Sequence, residues 1–115
     1  MIPHNKYVNI AKGLLEKTRE GKVPWNDPKG DRRFFSVSLP NSAISIDIIS
    51  PPTEPDFIRL TIYGPAGGLA GSWEVREGDE HWELASTLYS EVYRSATGWD
   101  KAFEDVERFI ASDRE

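Results

Sequence analysis

FFSVSLPNSAISIDII, residues 34–49, decides how this chain folds. Phe35, Val37 and Leu39 alternate with Phe34, Ser36 and Ser38. After Pro40-Asn41 the alternation resumes with Ile44, Ile46 and Ile48 against Ser45 and Asp47. A period of two marks a strand buried on one face, because successive side chains point to opposite sides of a sheet. Pro40-Asn41 carries turn chemistry. The stretch therefore predicts an antiparallel hairpin, Phe34–Leu39 paired with Ala43–Ile49.

Downstream the pattern repeats twice. SPPTEPD (50–56) contains three prolines and cannot sit in a ladder, so it is a loop. Phe57–Tyr63 then places Ile58, Leu60 and Ile62 on one face, and Ser72–Arg76 turns Trp73 and Val75 inward. Between them GPAGGLAG (64–71) reads as a hairpin connection. It is glycine-rich, but it has no lysine and joins two strands, so it lacks the requirements of a phosphate-binding loop. Four strands in succession predict an antiparallel meander. Its opposite face would carry Ser36, Ser38, Ser45, Asp47, Arg59, Thr61, Glu74 and Arg76 and could stand in water. On that reading Ile46→Asp unfolds the domain and Ser45→Asp is nearly silent.

The apolar face needs a cover, and helices flank the strands. Tyr7, Ile10, Ala11, Leu14, Leu15 and Thr18 follow helical spacing, with Asn5 as expected N-cap and Gly21 as the left-handed stop. Lys17, Arg19 and Lys22 then surround a helix C-terminus, where cations complement the dipole. Val23-Pro24-Trp25 resumes in extended form because Pro24 disfavours a helical Val23, which turns Trp25 back towards the core. Beyond the strands, Asp79 is the expected N-cap of a helix with Trp82, Ala85, Leu88, Tyr89, Val92, Tyr93 and Ala96 on one stripe. Thr97-Gly98 breaks it. A last helix aligns Trp99, Ala102, Phe103, Val106, Phe109 and Ile110. The expected fold is a single two-layer α+β domain over residues 1–115: an N-terminal helix, a four-stranded antiparallel meander, and two C-terminal helices on one face of the sheet.

Composition limits function. The 115 residues include no cysteine, which removes disulfides, thiolate catalysis and the common zinc clusters and favours a cytoplasmic setting. No apolar run reaches the length of a membrane span. The net charge of −5 argues against bulk binding to nucleic acid or anionic lipid. The charge is uneven: residues 1–33 carry eight Lys/Arg and four Asp/Glu, a net of +4, and the remainder six and fifteen, a net of −9.

No catalytic spacing stands out. Glu77, Asp79 and His81 superficially suggest an oxygen-rich metal site, but acids at a helix start are expected from the macrodipole alone. None of the serines lies in a nucleophile elbow. No enzyme activity, cofactor or metal is expected. The candidate surface is instead the basic loop residues Lys29, Arg32 and Arg33 with the outward sheet residues Phe34, Phe57, Arg59 and Tyr63. Leu69 is a further apolar residue expected off the core face.

LLEKTREGKVPW (14–25), the four-strand middle and HWELASTLYSEVYRSATG (81–98) together resemble small bacterial and phage domains of unknown function. The resemblance implies the same helix–four strands–two helices layout and transfers no active-site residue. The expected function is a non-catalytic protein-interaction module whose partner is another protein or a second copy of the chain. The alternative is a small-ligand or nucleotide binder with a pocket lined by Trp25, Trp73, Trp82 and Trp99.

Overall fold

The computed structural model describes residues 4–26 and 34–112, except for the side chains of His4, Trp99 and Asp100. The elements are α1 (His4–Arg19), β1 (Phe34–Leu39), β2 (Ser42–Ile49), β3 (Phe57–Tyr63), β4 (Leu69–Arg76), α2 (Trp82–Thr97) and α3 (Trp99–Ser112). The strands pair in the order β1-β2-β3-β4, all antiparallel. This is the expected α+β arrangement.

The alternating residues meet in register. Phe35 lies opposite Ile46, which lies opposite Leu60, which lies opposite Trp73, and all four are buried. α1 and α2 cover this row. Tyr7 of α1 stacks on Trp73 with ring centroids 6.2 Å apart, while Tyr89 and Tyr93 of α2 meet Phe35 edge-on at 5.9 and 5.8 Å. Ala11, Leu88 and Val92 fill the space between helices and sheet. Leu39 faces the same way but is 42% exposed, because it lies at the hairpin end where the helical cover stops.

Both expected glycine stops are present. Gly21 has φ 72°, its N–H donates to the Thr18 carbonyl at 3.0 Å, and the Lys22 N–H reaches the Lys17 carbonyl at 2.9 Å. This bond pair satisfies two carbonyls that the end of α1 would leave orphaned. Gly98, φ 67°, closes α2 through its N–H to the Arg94 carbonyl. The chain then turns back as expected: the Trp25 indole N–H donates to Thr18 Oγ1 at 3.0 Å inside the core. Asn26 bridges to Ser36 along the outer edge of β1, covering part of an edge that the sequence reading left open.

The two expected N-caps are not found. Asn5 lies inside α1, and α2 begins after His81, which makes no side-chain cap bond. Asp79 is drawn away from the helix, because its carboxylate accepts the Arg76 N–H at 2.9 Å and closes the turn out of β4. The last hairpin is also tighter than expected. Gly64 and Gly68 close it around Gly67, φ 83°, so Leu69–Gly71 belongs to the strand.

α3 packs on α2, and its described side chains, Lys101–Ser112, are all exposed. Among the described residues no helix is long and apolar enough to cross a membrane.

Candidate functional site on the outer sheet face

Strand pairing places the outward residues in rows across the sheet. Phe34, Asp47, Arg59 and Glu74 form one row; Ser36, Ser45, Thr61 and Ser72 form the next; Ala43, Tyr63 and Leu69 lie beyond it. Leu69 owes its place to a register shift. Ile62 pairs with Gly71, but Tyr63 pairs with Leu69, so Ala70 is an extra residue in β4. Strict alternation from Trp73 would carry Leu69 to the core face; the bulge returns it to the outer face.

These rows enclose a shallow groove of about 300 Å³, lined by Phe34, Asp47, Arg59, Tyr63 and Leu69 over Ser45 and Thr61. Its floor is drier than the alternation implied. Ser45 is 1% exposed, Thr61 7% and Asp47 8%, because larger neighbours in adjacent rows close over them. Ser45→Asp is therefore no silent change: the position is outward in register yet buried. No buried side-chain nitrogen or oxygen among the described residues lacks a hydrogen-bond partner.

The groove contains a fixed charge pair. Arg59 Nη2 donates to Asp47 Oδ2 at 2.9 Å and Nε to Oδ1 at 3.3 Å, a two-point cross-strand contact. These bonds to Asp47 raise the guanidinium pKa above its ordinary value, against the opposing effect of burial. The pair is geometrically rigid and electrically neutral, so it orients a contact without attracting bulk anions. The rim is apolar: Leu69 is 69% exposed and Phe34 38%.

The sequence-derived candidates divide accordingly. Phe34, Arg59 and Tyr63 come together on the groove. Phe57 shares the face but is closed off, since the Arg76 guanidinium lies 4.9 Å from its ring centroid. Lys29, Arg32 and Arg33 lie outside the described residues. Leu69, Ser45 and Thr61 complete the groove; the serine and threonine were readable as outward positions, but their burial was not.

The remaining candidates have local structural roles. Asp79 closes a turn, and His81 Nε2 lies 3.2 Å from Glu80 Oε1. Among the described residues no three His, Asp or Glu side chains are grouped to hold a metal. Trp25 and Trp73 are packed in the core.

The fold and face together define a small α+β domain with an open-faced antiparallel sheet. No protein-family model, curated protein or solved structure gives a significant match to the chain.

Proposed function

We propose that this chain is a non-catalytic interaction module that binds a protein through the outer face of its sheet. The observation that carries the reading is the groove: a dry polar floor and a rigid Asp47–Arg59 pair within a rim of exposed apolar side chains. Such a rim is costly to leave in water, and exposed apolar side chains around a hydrogen-bonded ion pair offer a partner both area to bury and a fixed polar contact. The absence of a cysteine and the acidic net charge fit a cytoplasmic protein partner better than nucleic acid.

The test is quantitative capture from the native cell with tagged wild-type protein and with Leu69→Glu, which alters the rim at an exposed position. A protein held stoichiometrically by wild type and lost with Leu69→Glu supports the reading. Equal capture by both refutes it.

A further inference from the structure

α3 is the most amphipathic of the three helices, and four of its apolar side chains are exposed. Phe103 is 52% exposed, Val106 57%, Phe109 67% and Ile110 48%. The molecule is elongated: it measures 61 × 37 × 26 Å with a radius of gyration of 16.4 Å, against about 13 Å for a compact chain of this length. The outer sheet face carries other exposed apolar side chains, Phe34 and Leu69, at the rim of its groove. Sheets are ordinarily covered by helices laid across them.

We infer that α3 of one copy docks on the outer sheet face of a second copy, and that the exchange is reciprocal. This rests on the reading of that face as a protein-binding surface and names its occupant. The dimensions agree. The strip from Phe103 to Ile110 runs about 11 Å along the helix, and the groove from β1 to β4 spans about 14 Å at ordinary strand spacing.

The area selects this pairing over a seam between two copies of α3. The exposed parts of Phe103, Val106, Phe109 and Ile110 amount to roughly 400 Å² when a fully exposed aromatic is taken as about 200 Å². With a similar contribution from Phe34, Tyr63, Leu69 and their neighbours, one helix-on-sheet contact buries roughly 800 Å². Two reciprocal contacts reach roughly 1,600 Å², the standard size of a stable interface. A lone α3–α3 seam stops at about half of that, below what a specific dimer needs.

The contact is isologous as a whole and closes with two-fold symmetry, so it predicts a dimer and no larger species.

The experiment is sedimentation equilibrium of the full chain at roughly 100 µM, well above the micromolar limit expected of interfaces this size. Wild type is measured beside Phe109→Glu, Leu69→Glu and an equimolar mixture of the two, with circular dichroism to establish that each variant is folded. The expected result is a wild-type dimer, two monomeric variants, and a mixture that associates far more weakly than wild type, since it retains only one of the two contacts. A wild-type monomer overturns the inference and leaves the capture experiment above to decide the proposed function separately. A Leu69→Glu variant that remains dimeric also overturns it, in favour of an α3–α3 seam.

Discussion

Replacing Arg59 with methionine tests whether the groove floor is as dry as its geometry indicates. The guanidinium makes two bonds to Asp47, at 2.9 and 3.3 Å, and the Asp47 side chain is only 12% exposed against 40% for Arg59. Arg59→Met keeps most of the aliphatic stem but strands a carboxylate over Ser45 and Thr61. Breaking a fully buried pair costs about 3–5 kcal/mol, and an exposed pair is worth about 0–1 kcal/mol. With one partner buried and the other partly solvated, the expected loss is about 2 kcal/mol, or roughly 8 °C in Tm for a domain of this size. The double variant Asp47→Val/Arg59→Met removes both charges from a site flanked by apolar side chains. It should be more stable than Arg59→Met alone by about 1 kcal/mol, since the stranded charge is gone. Urea denaturation of the four proteins in a double-mutant cycle measures both quantities. If Arg59→Met stays within about 0.5 kcal/mol of wild type, or the two changes simply add, the pair is solvent-screened and the floor is wet.

Other perturbations address the core and the arm. Thr18→Val removes the acceptor of the buried Trp25 indole N–H and should cost about 1–3 kcal/mol in urea denaturation; no loss would mean that the indole reaches water. Ile46→Asp and Ser45→Asp should both lower the thermal midpoint sharply, as each puts a carboxylate at a closed position, and Ser45→Asp adds one beside Asp47. A Ser45→Asp variant that melts like wild type would contradict the burial of that row. Ending the chain after Asp100 removes described side chains, Lys101–Ser112, that are all exposed, so at concentrations too low for association Tm should move by no more than about 3 °C. An unfolded product would show that α3 is part of the folding unit.

What the sequence determined by itself is the part governed by local periodicity and backbone sterics. Alternation in residues 34–49 and its repeats set which side chains face the core, because a one-residue slip would turn the whole apolar set into water. Gly21 and Gly98 end helices because only glycine accepts the left-handed backbone there without penalty. The N-caps were not legible, since Asp79 has two competing partners and only the fold places the Arg76 N–H nearer.

Three features were left to tertiary structure, each for a physical reason. Burial depends on what lies beside a residue in the neighbouring strand, so Ser45 and Thr61 are closed and Phe57 is capped by Arg76 although alternation marks all three as outward. Leu69 was expected off the core face as part of the hairpin connection, but that it reaches the rim within β4, through a single extra residue, was a register choice made by the pairing with Tyr63. The stripe on α3 has the same spacing as a core helix, because amphipathicity records that a face wants cover and carries no information about which molecule supplies it.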